Sequence, residues 1–92
     1  MALGDDTVFA LARGFRFQWE AAQAAYVLLY PEGMVKLGSS AGEILKRING
    51  TSAVCEIVAD LERAFPGVAL RQDVTEFLEH AREKGWISAR HP

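Results

Sequence analysis

Few residues in this 92-residue chain are of a type that does chemistry. Cys55 is the only cysteine, which excludes an internal disulfide and any multi-cysteine zinc or iron-sulfur site within one chain. It stands beside Val54 and Ile57 with no base or cationic cluster near it, so it reads as a small buried or half-buried hydrophobe rather than a nucleophile. His80 follows Glu76 at helical i,i+4 spacing, which suits two ligands on one face. No other His or Cys is placed to complete a metal site, and a surface pair is the simpler reading. His91 lies in the tail and is given no role. The stretch Gly38 to Gly42 opens a helix and invites a phosphate, yet it lacks the G-x-x-x-x-G-K-[ST] pattern and Glu43 repels an anion. Phe15, Phe17, Trp19, Tyr26 and Tyr30 could line a ligand pocket, but aromatics on the strands of a small domain more often form its core or an interface. No catalytic pair, cofactor site or metal site is expected.

These residues are positioned by a short series of elements. Phe15, Phe17 and Trp19 alternate with Arg16 and Gln18, a period of two that predicts a first strand with its aromatics on one face. Tyr26, Leu28 and Tyr30 then share one face and Val27 and Leu29 the other, as in a central strand covered on both sides. Pro31-Glu32-Gly33 forms the loop of a hairpin whose second strand runs from Met34 to Leu37. That strand is the last of the meander, and one of its edges is expected to be open to another strand.

The remainder is helical. Ser40-Ala41-Gly42-Glu43 fits a capping box ahead of Ile44, Leu45 and Ile48. After Asn49-Gly50, Thr51 or Ser52 can cap a second helix with Val54, Ile57, Val58, Leu61 and Phe65 in its stripe. Pro66-Gly67 ends it. Leu70, Val74, Phe77, Leu78 and Ala81 form the stripe of a third helix, closed by Gly85. The expected fold class is α+β: a three-stranded antiparallel meander followed by three helices, winged-helix-like, in two layers. Residues 1–12 are expected to be a mobile arm, 13–88 a single domain and 89–92 a frayed tail. The apolar Val8, Phe9 and Leu11 let the arm fold back or dock on a second copy, so a homodimer is one assembly the sequence allows.

Composition narrows the function. Half of the residues are hydrophobic and 24% are charged, ordinary values for one soluble domain. A net charge of -2 supplies no general attraction to nucleic acid or anionic lipid. The third helix carries Arg71, Arg82 and Lys84 against Asp73, Glu76, Glu79 and Glu83, a poor pattern for entering a DNA groove. Two acids stand near the N-terminus where a secretory signal carries Lys or Arg, and no apolar run reaches membrane-span length. A cytoplasmic protein with neither nucleic acid nor membrane as partner is expected. On residues alone, capture of a peptide at the open edge and a merely structural edge both stand.

The ordered set L-L-Y-P-E-G-M-V-K-L at 28–37, S-A-G-E-I-L at 40–45, Asn49-Gly50, E-I-V at 56–58 and D-V-T-E-F-L at 73–78 resembles the PqqD family of pyrroloquinoline quinone (PQQ) biosynthesis. Arg13-Gly14 and Gly85-Trp86-Ile87 extend the resemblance from about Arg13 to Ile87. Gly38, where the family is expected to have Asn, and Ala53, where a Thr cap is expected, depart from it. The resemblance implies a non-catalytic peptide chaperone that binds the precursor peptide PqqA and presents it to the radical S-adenosylmethionine enzyme PqqE. It further implies that the peptide adds as a strand beside the third strand, in a cleft against the third helix. Mapped here, that cleft combines Met34, Val35, Lys36 and Leu37 with a helix flank of Arg71, Thr75, Leu78 and Arg82. Readings of another class are a carrier that holds PQQ on its aromatic residues and a winged-helix DNA-binding protein.

Overall fold

The computed structural model describes residues 4–90. Its centre is an antiparallel meander of β2 (Arg16–Glu20), β3 (Ala25–Tyr30) and β4 (Gly33–Lys36), in that spatial order. Three helices follow, α1 (Ser39–Leu45), α2 (Val54–Ala64) and α3 (Arg71–Glu83). A second, two-stranded sheet pairs β1 (Val8–Leu11) with β5 (Ile87–Arg90). The α+β class and the meander-then-helices order are as expected, while the second sheet is an addition that makes winged-helix a loose description.

The register of the meander decides what reaches the core. Phe17 opposes Leu28, which opposes Val35, and this face packs on the helices. Val27, between Gln18 and Lys36 on the other face, is fully buried, whereas Leu29 beside it is only half-buried. Leu28, Leu45, Ile57, Val74 and Leu78 are among the core side chains with almost no exposed surface. Tyr30 and Gly33 close the hairpin, so its loop is Pro31-Glu32 and not the three residues expected. Proline fixes φ near −65° and no positive φ occurs at residues 31–33, which excludes the primed hairpin turns and fits a type I turn. The four-residue loop between β2 and β3 ends at Ala24, whose φ of 51° is unusual for a residue with a Cβ.

Both ends of the described chain are structured, which corrects the expected arm and tail. Phe9 is 1% exposed and Ile87 2%, so the β1–β5 ladder carries core residues. Residues 1–3, 91 and 92 of those two expected segments, His91 among them, lie outside the described residues. The carbonyls of Thr7 and Asp5 accept hydrogen bonds from the Val54 and Cys55 amides, both at 2.9 Å. These are first-turn donors that a helix cannot satisfy internally. They explain how Ala53, without a side-chain oxygen, serves as the N-cap of α2. Asn49 and Glu56 complete the junction: Asn49 Oδ1 accepts from the Thr51 and Ser52 amides, and Glu56 accepts from the Ala53 amide at 2.8 Å. Neither Thr51 nor Ser52 caps the helix.

The capping box expected at Ser40 is likewise absent: α1 begins at Ser39 with Gly38 as an N-cap that makes no side-chain hydrogen bond. Gly42 instead provides close approach, because a Cβ there would lie 2.9 Å from Tyr26 Cδ2. At the end of α3, Gly85 takes φ of 80°, the Gly85 amide bonds to the Arg82 carbonyl and the Trp86 amide to that of Ala81. This Schellman arrangement redirects the chain into β5.

Arg47, just beyond α1, holds the helices together by donating to Asp60 at 2.5 Å and to Glu43 at 2.9 Å. Its hydrogen bond, followed by that of Arg63, lowers the Asp60 carboxyl below its ordinary value of 3.8. The folded state therefore binds this proton less readily than the unfolded state, so the stabilisation is fully present above pH 3.8 and lost as pH falls through the lowered value. Acid titration of the unfolding midpoint should show a shallower loss in Asp60→Asn than in the parent. Leu45→Ala and Leu61→Ala should each cost roughly 2 to 5 kcal/mol in denaturant unfolding, as large-to-small changes in a close-packed core do.

Candidate functional site

The chemically suggestive side chains do not converge. Cys55 is exposed, not buried or half-buried as expected, because the α2 stripe turns Val54, Ile57 and Val58 inward and leaves position 55 outside. His80 does not pair with Glu76: its ring stands edge-on to Trp86 at 5.9 Å, while Glu76 accepts from Gln72 at 3.0 Å. The aromatics of the meander occupy one another. Phe17 stacks on Tyr26 at 4.7 Å, Trp19 meets Tyr26 edge-on at 5.1 Å, and Phe15 stacks on Tyr30 at 5.5 Å.

What the fold offers instead is backbone. β4 is an edge strand, hydrogen-bonded to β3 on one side. The Leu37 amide donates to the Tyr26 carbonyl at 2.9 Å. Antiparallel pairs alternate between bonded and non-bonded. From Tyr26 and Leu37 the alternation makes Leu28–Val35 and Tyr30–Gly33 the bonded pairs. The amides and carbonyls of Met34 and Lys36 consequently face away from β3, along the free edge. Val35 is half-buried on the helix-facing side, Met34 is 42% exposed on the opposite face, Lys36 is exposed, and Leu37 is buried at the start of the turn into α1.

Beside this edge strand's exit lies a groove of about 570 Å³ between α1 and α3. The first helix contributes Ser39, Ser40, Ala41, Glu43 and Ile44, and the third contributes Leu70, Asp73, Val74 and Phe77. Leu61 forms part of its wall, and Phe65 and Val68 lie at its α2 end. These last two are 46% and 52% exposed, so Phe65 belongs to the groove and not to the buried stripe of α2. Of the flank expected on α3, none lines this groove. Leu78 is fully buried in the core, Thr75 is half-buried, Arg71 is paired with Asp5, and Arg82 is exposed. Helical spacing left the choice of flank open, and Leu78 lies too deep to meet any ligand at the surface. The signal that marks the groove in the sequence is Phe65 and Val68 flanking Pro66-Gly67, large apolar residues in a connection with no strand or helix to bury them.

Residues 25–87 match the family model described as Coenzyme PQQ synthesis protein D (PqqD). The chain belongs to the PqqD family. A PqqD-family relative from Azotobacter vinelandii, named PqqA binding protein, is 56% identical over 78 residues, covering 84% of this chain and 85% of the relative. One from Kluyvera intermedia with the same name is 47% identical over 89 residues, covering 96% of this chain and 97% of the relative. Among solved structures, the solution structure of the PqqD truncation of Methylobacterium extorquens PqqCD superposes with a TM-score of 0.77 at 24% identity, covering 96% of this chain and 95% of that one. That structure is described as a stand-alone recognition element for ribosomally synthesised and modified peptides, and its likeness establishes the shared PqqD fold.

Alternation along β4 divides its positions. Val35→Pro, which removes a donor to β3, should lower the denaturant midpoint clearly, whereas Met34→Pro and Lys36→Pro, at outward-facing amides, should stay near the parent. Equal loss at all three positions would mean that the free edge is not where the register puts it.

Proposed function

We propose that this chain is a non-catalytic binder of the precursor peptide PqqA, which adds as a further strand along β4 and is presented in that extended form to the radical S-adenosylmethionine enzyme PqqE. The observation that carries the reading is the unbonded row of Met34 and Lys36 amides and carbonyls on the free edge of a family whose relatives are named for binding PqqA. Main-chain hydrogen bonds to such an edge give affinity with little dependence on peptide sequence, and the side chains beside it select the partner. An extended peptide also keeps alternate side chains turned outward, accessible to an enzyme that must reach them.

The other readings fit less well. For PQQ the support is thinner, because Phe17 and Tyr26 stack on each other and of this cluster only Trp19 is largely exposed. DNA meets a helix α3 with mixed and mostly acidic charge. No described helix is long and apolar enough to cross a membrane, and the protein is proposed to act in the cytoplasm as a monomer or homodimer.

Titrating the protein separately with PqqA, PQQ and duplex DNA in a calorimeter should give saturable heat with PqqA alone. Met34→Pro and Lys36→Pro should weaken PqqA binding by about 0.5 to 1.5 kcal/mol for each lost hydrogen bond, plus any clash of the ring. Mass spectrometry should find PqqA unchanged after incubation with this protein alone, and modified only when PqqE is added.

A further inference from the structure

The meander has a second open edge. β2 lies at the other end of the β2-β3-β4 order and, among the described residues, pairs with β3 alone. Because Tyr26, Leu28 and Tyr30 bond toward β4, the backbone groups of Ala25, Val27 and Leu29 turn toward β2, where they meet Glu20, Gln18 and Arg16. The amides and carbonyls of Phe17 and Trp19 consequently face away from β3, along the β2 edge. Trp19 is 54% exposed although it belongs to the aromatic cluster around Tyr26.

The charge on this strand is self-complementary. Arg16, Gln18 and Glu20 share the face turned away from the helices, with the two charges equally spaced about Gln18. Neither Arg16 nor Glu20 is in an ion pair among the described residues. Two β2 strands placed antiparallel about a two-fold axis between their Gln18 residues set Phe17 opposite the second copy's Trp19, and Arg16 opposite the second copy's Glu20, each pairing occurring on both sides of the axis. The aromatic pairs carry the outward backbone groups, so they are the bonded pairs, each exchanging both of its hydrogen bonds. The charged pairs are then the non-bonded ones, in which opposed Cα atoms approach to about 4.5 Å and side chains lie closer. Sliding the strands by two residues either way keeps outward groups opposed but sets Gln18 against Arg16 or against Glu20, and both ion pairs are lost.

We infer that β2 is the surface through which two copies of this chain pair, joining their meanders into one continuous sheet with a β4 strand at each outer edge. The partner is a second copy because its own sequence supplies the complementary charge, and a two-fold interface uses the same patch on both subunits. Trp19 supplies apolar area beside the ladder, while Arg16 and Glu20 set the register. Pairing at β2 leaves both β4 edges free, so the dimer has room for one strand-adding peptide per chain.

Charge swaps test the register. Sedimentation of the parent over a concentration series should show a reversible monomer-dimer equilibrium. Arg16→Glu and Glu20→Arg each turn both ion pairs into like-charge contacts, and each should weaken the dimer roughly five- to fiftyfold with an unfolding midpoint near the parent's. An equimolar mixture of the two variants re-forms both pairs and should regain the parent's association, as should the double variant Arg16→Glu/Glu20→Arg. Loss of PqqA affinity in Met34→Pro with dimerisation unchanged would further support separate roles for the two edges. A parent that stays monomeric up to its solubility limit overturns the inference, as does a dimer that ignores the swaps or is not restored by the mixture. Dissociation of the dimer by PqqA would give the β2 edge to the peptide and overturn this inference together with strand addition at β4.

Discussion

The hydrogen bonds from the N-terminal backbone to the start of α2 are the constraint on which the remaining arrangement depends. Thr7 and Asp5 receive the first amides of α2, Phe9 receives that of Gly50 at 3.1 Å, and the strand that contains Phe9 pairs with β5. One extended segment thereby satisfies a helix start, a turn and a sheet edge at once. Detaching this segment would break these hydrogen bonds together, each worth about 0.5 to 1.5 kcal/mol net. It would also uncover Phe9, which is nearly fully buried. The second helix, whose Leu61 forms part of the groove wall, is thus anchored from the far end of the chain.

That anchoring sets a division between the two sheets. β1 is flanked by β5 and by an isolated bridge from Val8 to Ala53, so it is held on both sides. Among the described residues β4 pairs with β3 alone, and its outward groups have no strand partner. A folded protein usually blunts an edge of this kind, and here only the exposed Lys36 and the brevity of the strand do so. Shortness matters. Four residues offer few hydrogen bonds to a stray chain.

Much of this was legible in the sequence because it is local. Alternating Phe15, Phe17 and Trp19 announced β2, and the spacing of Val74, Leu78 and Ala81 announced the buried face of α3. The β1–β5 pair was not legible: each strand is four residues long, and the partners are separated by almost the whole chain. The cap of α2 was hidden for the same reason, since the groups that replace a Thr side chain are carbonyls at residues 5 and 7, whose identity any amino acid would share. Open-edge geometry was half legible. Sequence placed the strand, but which amides face outward depended on the two-residue turn at Pro31-Glu32, which fixed the register. The groove was missed because periodicity alone assigned Phe65 to the stripe, while the helix ends one residue before it.

The pairing of Val8 with Arg90 has a consequence for how this domain can be joined to others. Directly opposed residues of an antiparallel ladder have Cα atoms roughly 5 Å apart, so the chain enters and leaves the fold at nearly one point. Such a layout is close to a closed ring. A polypeptide could run into the domain and out again within the space of a single loop, on the opposite strand pair from the free edge of β4. The domain is therefore geometrically suited to being carried as a module inside a longer chain, or to having its ends relocated, without disturbing the free edge of β4.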